Sequence, residues 1–219
     1  ATHLFRTSQL FQGIPLSTVT RALCDHWGIK HAVYPMSDDP VRTLVITSEG
    51  TVLGFQEYFV KLACKPQVAG FEFVGAAASK PVPRACHTLD AADLVILAPS
   101  NPWVSIDPIL AVPGYREILS KKSVIAVSPL IGGKALKGPA AKMYLELGIQ
   151  PSASAVASHY REFLTGFVFD NADRDQLEKI ERWRIIPLVT DILMKDKQDR
   201  VRLAGEVLGF GEKILNRSL

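Results

Sequence analysis

Asp93-Leu94-Val95-Ile96-Leu97, running directly into Ala98-Pro99-Ser100-Asn101, decides the fold class. Consecutive apolar residues with no alternation suit a strand covered on both faces, as in a parallel sheet sandwiched by helices. Ser123-Val124-Ile125-Ala126-Val127 repeats the pattern and ends in Ser128-Pro129. Gly166-Phe167-Val168-Phe169 repeats it again and ends in Asp170. Helical patterns lie between and after these runs, over residues 114–120, 139–147 with Gly148 as a stop, 173–183 and 199–215. The order strand, helix, strand predicts an α/β fold, a doubly wound (Rossmann-like), mostly parallel sheet.

Working back towards the N-terminus, the periodicity changes. Residues 43–47 and 52–60 flank Ser48-Glu49-Gly50-Thr51, the pattern of a β-hairpin turned by glycine, and residues 68–74 read as a further strand. Residues 43–74 are therefore predicted to form a small antiparallel elaboration. Residues 17–27 read as a helix with Ser17 as its cap and Gly28 as its end, followed by a short strand over 31–34. No internal repeat or low-complexity linker interrupts the chain, so residues 1–219 are expected to form one α/β domain.

Composition narrows the function classes. The 219 residues are 47% hydrophobic and 21% charged, an ordinary globular balance. A net charge of +3 is too mild to indicate nucleic acid as a partner. No apolar run approaches the length of a membrane span, and no signal peptide opens the chain. The three cysteines, Cys24, Cys64 and Cys86, form no CxxC pair and suggest neither a disulfide framework nor a zinc site. A cytoplasmic setting is expected.

Ligands of open α/β sheets bind at the carboxyl ends of the strands. Two strands here end in small polar residues, Ser100-Asn101-Pro102 and Ser128-Pro129, whose hydroxyls and backbone N–H groups suit phosphate. Both are equally readable as plain strand-ending turns. The segment Gly132-Gly133-Lys134-Ala135-Leu136-Lys137-Gly138-Pro139-Ala140-Ala141-Lys142 follows a strand and precedes a helix. Its glycines allow close backbone approach and Lys134, Lys137 and Lys142 bring charge, although the Walker A spacing is absent and a basic surface loop has the same composition. The paired carboxylates in Pro35-Met36-Ser37-Asp38-Asp39-Pro40-Val41 can hold a hard cation or orient a hydroxyl, or simply form a solvated turn. His3 and Arg6 stand one helical turn apart and suit an anion or a polar face. Tyr58, Phe59 and Trp103 are large enough to stack on a ring or to fill a core.

These motifs, with Phe55-Gln56-Glu57-Tyr58-Phe59-Val60, Pro108-Ile109-Leu110 and Phe167-Val168-Phe169-Asp170, follow one another in an order that resembles the 2-phospho-L-lactate transferases over the chain up to about residue 175. The resemblance implies transfer of a 2-phospholactyl or phosphoenolpyruvyl group from a guanosine diphosphate ester to the terminal hydroxyl of the deazaflavin Fo, with release of GMP, in coenzyme F(420) biosynthesis. It implies Mg2+ and a homodimer. It places Ser100, Asn101, Ser105, Ser128, Gly132, Gly133, Lys134, Lys137 and Lys142 around the nucleotide diphosphate. Asp38 and Asp39 would serve the metal or the Fo hydroxyl, with the main metal ligands in the N-terminal segment that precedes this sequence in the family, and His3, Arg6 and Ser37 would border the substrate. The related gluconeogenesis factors, which bind nucleotide-sugars without evident catalysis, are the alternative. Members of the transferase family begin with a strand, a Gly-Gly-Thr-Gly type loop and an acidic segment, whereas this sequence enters the pattern at Ala1-Thr2-His3. The expectation is a domain lacking its N-terminal nucleotide-binding strand and Gly-rich loop, left with an unpaired sheet edge, poorly stable and inactive alone.

Overall fold

In the computed structural model, which describes residues 1–135 and 138–217, the chain opens with two helices, α1 (Thr2–Phe11) and α2 (Leu16–His26), packed on each other. α1 buries none of its residues. Three strands follow, β1 (Arg42–Thr47), β2 (Val52–Gly54) and β3 (Val68–Val74), in the order β2-β1-β3 and antiparallel throughout. Gly50, at φ +80, makes the β1–β2 turn as the sequence predicts. The predicted second strand is shorter than residues 52–60. After Gly54 the chain winds into a π-helical turn, Glu57–Lys61, that swings the Tyr58 ring fully into the core.

Helix α3 (Pro83–Asp90) leads into the parallel sheet, β4 (Leu94–Leu97). A π-helical turn, Pro102–Ile106, and the short helices α4 (Asp107–Leu110) and α5 (Tyr115–Leu119) return the chain to β5 (Ser123–Val127). Next come a two-residue hairpin, β6 (Leu130–Ile131) with β7 (Lys134–Ala135), and the helices α6 (Ala140–Glu146) and α7 (Ala153–His159). The chain ends with β8 (Gly166–Asp170), α8 (Leu177–Glu181), β9 (Ile186–Thr190) and the long α9 (Lys197–Arg217). The sheet order is β4-β5-β8-β9, with every pair parallel.

Side chains of the central strands alternate between two apolar layers. Val124, Ala126, Phe167 and Phe169 face one core, which also holds Met143 and Tyr144 of α6 and Val156 of α7. Ile125, Val127 and Val168 face the other, closed by Leu203, Val207, Phe210 and Ile214 of α9. Both faces of the sheet are thus covered, which is why these strands read as unbroken apolar runs. α9 lies close to the sheet. A Cβ on Gly166 would stand 2.7 Å from Ile214 Cδ1, and one on Gly211 would collide with Leu94. The first core continues into the antiparallel strands through Val45, Tyr58 and Val68, so one apolar interior joins the two sheets. No helix among the described residues is long and apolar enough to cross a membrane.

Three local expectations are corrected. Residues 31–34 form no strand; that segment is irregular and is fixed through Met36, whose carbonyl accepts from Val82 N at 3.2 Å and from Tyr115 Oη at 2.8 Å. Ser17 does not cap α2: Pro15 holds the N-cap position, and the cap acceptor arrives from Asp38. β9 was not anticipated, because Pro187 breaks the strand pattern; as an edge strand it tolerates the missing donor.

Candidate functional site

The sheet topology gathers three strand ends, those of β4, β5 and β9, around one cavity of about 800 Å³. Its polar wall is built by the segment after β4. Asn101 caps the π-helical turn by accepting from Trp103 N at 3.1 Å, and Trp103 anchors the turn by packing edge-on against Tyr144 with centroids 4.3 Å apart. Asn101 Nδ2 rests on Met143 Sδ at 3.2 Å. Ser100 and Ser105 both line the cavity, and their hydroxyls have no hydrogen-bond partner among the described residues. They are the hydroxyl donors that the cavity presents to a ligand.

Other lining residues are apolar. Phe55, just after β2, and Phe59, on the π-helical turn, stack with centroids 5.4 Å apart and an interplanar angle of 22°. Ile192, Leu193 and Met194, after β9, continue this lining. Their loop is held by carboxylates: Ile192 N donates to Asp170 Oδ2 at 3.1 Å, and Leu193 N to Asp191 Oδ1 at 2.9 Å. Gly138 and Pro139, before α6, also line the cavity, as does Arg200, an exposed residue in the first turns of α9. A lining that combines hydroxyls, stacked rings and an arginine suits a ligand with both an anionic and a flat part.

The sequence-predicted residues divide clearly. Ser100, Asn101, Ser105 and Ser128 meet at the cavity. The Ser128 hydroxyl, however, is buried and already engaged, donating to Leu130 O at 3.0 Å and accepting from Leu130 N at 3.1 Å, so it shapes the turn. Gly132 and Gly133, with φ of +56 and +72, turn the β6–β7 hairpin and do not line the cavity. Gly132 N donates to Asp173 Oδ2 at 2.9 Å, and a Cβ on Gly133 would lie 2.9 Å from Pro151 O. Glycine is required there for the turn and the close packing. Lys134 is exposed on β7, away from the cavity lining, and Lys137 lies outside the described residues.

Lys142 faces the antiparallel sheet instead. Its Nζ pairs with Glu146 Oε1 at 2.5 Å and donates to Pro66 O at 3.0 Å, beside Tyr58 Oη at 3.5 Å. Glu146 Oε2 accepts from Val68 N at 3.1 Å. The pair therefore clamps α6 to β3. Burial, followed by the neighbouring Cys64 and Glu146, holds the Tyr58 phenol above its ordinary range, so it stays neutral at this contact.

Ser37, Asp38 and Asp39 also serve the local fold. Asp38 accepts from Ser17 N at 2.6 Å and Ser17 Oγ at 2.8 Å, which places an anion at the N-terminus of α2. Asp39 Oδ2 accepts from Lys80 N at 2.8 Å, while Ser37 Oγ donates to Lys80 O at 2.6 Å. Asp38 lines a separate cavity of about 500 Å³ with Arg21, Lys30, His31 and Arg84. His3 and Arg6 are exposed on α1 and line neither cavity. Mg2+ demands near-octahedral oxygen ligands. The Asp38 and Asp39 carboxylates are held by different elements, and no group of three or more His, Cys, Asp or Glu among the described residues converges on a metal position. This donor set does not fit Mg2+.

Comparisons with known proteins identify the family and the fold. The family model of 2-phospho-L-lactate transferase CofD matches residues 1–206. The phosphoenolpyruvate transferase of Thermobifida fusca is 37% identical over 222 residues, an alignment covering 100% of this chain and 68% of that protein. The 2-phospho-L-lactate transferase of Methanosarcina mazei is 37% identical over 204 residues, covering 93% and 67%. That of Methanopyrus kandleri is 40% identical over 205 residues, covering 93% and 65%. The chain thus spans about two thirds of the length of these relatives. Among solved structures, protein BH3568 of Bacillus halodurans superposes with a TM-score of 0.67 over 94% of this chain and 70% of its own, at 12% identity, which speaks to the fold alone.

Proposed function

The chain belongs to the 2-phospho-L-lactate transferase CofD family, and from that premise we propose that it moves a 2-phospholactyl or phosphoenolpyruvyl group from a guanosine diphosphate ester to the terminal hydroxyl of the deazaflavin Fo, releasing GMP. The observation that carries this reading is the strand-end cavity, lined by Ser100, Asn101 and Ser105 together with the stacked Phe55–Phe59 pair. A volume of about 800 Å³ accommodates a substrate of this size.

In the proposed step the Fo hydroxyl oxygen attacks the phosphorus that carries the three-carbon acid. A new P–O bond forms there, the P–O bond to the GMP phosphate breaks, and the hydroxyl proton leaves to solvent. Such transfers ask for positioning and charge stabilisation and little covalent work from the protein. The Ser100 and Ser105 hydroxyls donate to non-bridging phosphate oxygens, and the phenylalanine pair holds a flat ring and displaces water from the reacting end. The magnesium that the family resemblance implies has no fitting set of ligands in Asp38 and Asp39.

The test is an assay of the full-length protein with Fo, magnesium and each guanosine diphosphate ester, following GMP. Fo-dependent GMP release with one ester is expected and identifies the donor. Nucleotide binding without GMP release from any donor would replace the transferase reading with that of a regulatory binding protein.

A further inference from the structure

We propose that Arg200 is a substrate-binding residue whose guanidinium takes an oxyanion of the ligand in the strand-end cavity, so that the site selects substrates anionic at that end. The inference rests on the functional reading above. It begins with the contrast between two arginines on the first turns of α9. Arg202 is surrounded by carboxylates, with Glu206 at 3.1 Å and Asp191 and Asp199 each at 3.8 Å. Arg200 lines the cavity and has no side-chain hydrogen bond or ion pair among the described residues.

The neighbouring acids are already engaged. Asp191 accepts from Leu193 N, Asp196 from Asp199 N, and Asp199 from Lys195 N, each at 2.9 Å. Glu206 accepts from Thr190 Oγ1 at 2.5 Å as well as from Arg202. Arg202 and this net of short local bonds fix the start of α9 and the loop after β9, and they leave Arg200 as a cation without a counter-charge at the cavity wall. A guanidinium is always charged and offers a planar fork that matches two oxygens of a carboxylate or phosphate. The unengaged hydroxyls of Ser100 and Ser105 line the same cavity and supply neutral donors for the remaining oxygens.

Two parts of the proposed donor carry such oxygens: the carboxylate of the three-carbon acid and the diphosphate. Calorimetric titration of the full-length protein with GDP, with GMP, and with 2-phospholactate or phosphoenolpyruvate separates them, using wild type, Arg200→Gln and Arg200→Lys. Arg200→Gln is expected to weaken at least one of these anions about ten- to a hundredfold. Arg200→Lys should recover part of that loss, because it restores charge without the fork. Weakening confined to the acids places the carboxylate at Arg200, and weakening of GDP as well places the diphosphate there. Among the described residues the side chain has no hydrogen-bond or ion-pair partner, so an unchanged thermal midpoint should accompany the loss. Wild type that binds these ligands while Arg200→Gln binds all of them equally well would overturn the assignment and leave the cavity reading intact. Wild type that binds none of them would overturn both.

Discussion

At the residue scale, Lys142 illustrates how charge alone misleads. Its position after two glycines and two other lysines suggests a phosphate ligand, yet it bonds to Glu146 and Pro66 and clamps α6 to β3. Lys142→Met should therefore lower the unfolding free energy by about 1–3 kcal/mol, because the largely buried Glu146 loses its counter-charge and keeps only the Val68 N–H. Urea denaturation measures the loss, and KM for the guanosine ester in the folded variant should stay near wild type. A large rise in KM with stability intact would return Lys142 to the substrate. Asp173 supports a second prediction. Burial raises its carboxyl above the ordinary 3.8, with Asp170 and Asp175 adding and the Gly132 N–H opposing. The folded state therefore holds this proton to higher pH than the unfolded chain does. Its contribution is most favourable at low pH and is lost as pH rises above 3.8 through the folded value. The unfolding free energy of Asp173→Asn relative to wild type should rise across that window, and a pH-independent difference would refute the buried-carboxyl account. Ser100 and Asn101 were legible because strand ends are where such sheets bind ligands, whereas Ser105 came only from the family resemblance. Arg200 was not legible, because it stands in a basic, polar stretch that reads as the solvated start of a helix. Nor can composition distinguish a Gly-Gly pair that turns a hairpin from one that cradles phosphate.

At the scale of elements, the parallel strands were readable because burial on both faces leaves an unbroken apolar run, and Ile125 and Phe167 show the two layers that require it. The antiparallel strands were readable in β1 and β3 and overextended in β2. Phe55 to Val60 carry strand-like apolar residues, and only the tertiary pull that buries Tyr58 winds them into a π-helical turn. Helix α9 was visible as a periodic pattern, but its approach to the sheet was not. That approach depends on Gly166, where a Cβ would sit 2.7 Å from Ile214 Cδ1 and 2.9 Å from Phe210 Cε1. Gly166→Ala should cost about 1–3 kcal/mol by overpacking. Because α9 also carries Arg200, the same variant should weaken anion binding, whereas a substitution at exposed Leu208 should not. An equal thermal midpoint for Gly166→Ala and wild type would show that α9 has room to shift.

At the scale of the whole molecule, one apolar interior runs through both sheets, yet the parallel sheet is closed on only one side. β9 at one edge is blunted by Pro187, a common device against edge-to-edge pairing. β4 at the other edge has β5 on one side and no strand on the other among the described residues. An apolar cavity of about 390 Å³ runs along it, lined by Leu94, Val95, Ile96 and Leu97, and Ile96 is 40% exposed. A flat apolar edge without a proline or a charge is a template for pairing with another chain. Residues 1–219 prepared on their own should therefore self-associate through β4, with an average mass in sedimentation equilibrium that climbs with concentration. Ile96→Lys places a charge in the middle of that edge and should return the mass towards 24.0 kDa. A substitution of similar size on the exposed face of α9, such as Leu208→Lys, should leave association unchanged. A monomeric wild-type chain, or association that Ile96→Lys does not reduce, would mean that β4 is protected by the segments packed beside it, Tyr34 to Met36 and α3, and that the edge is already closed.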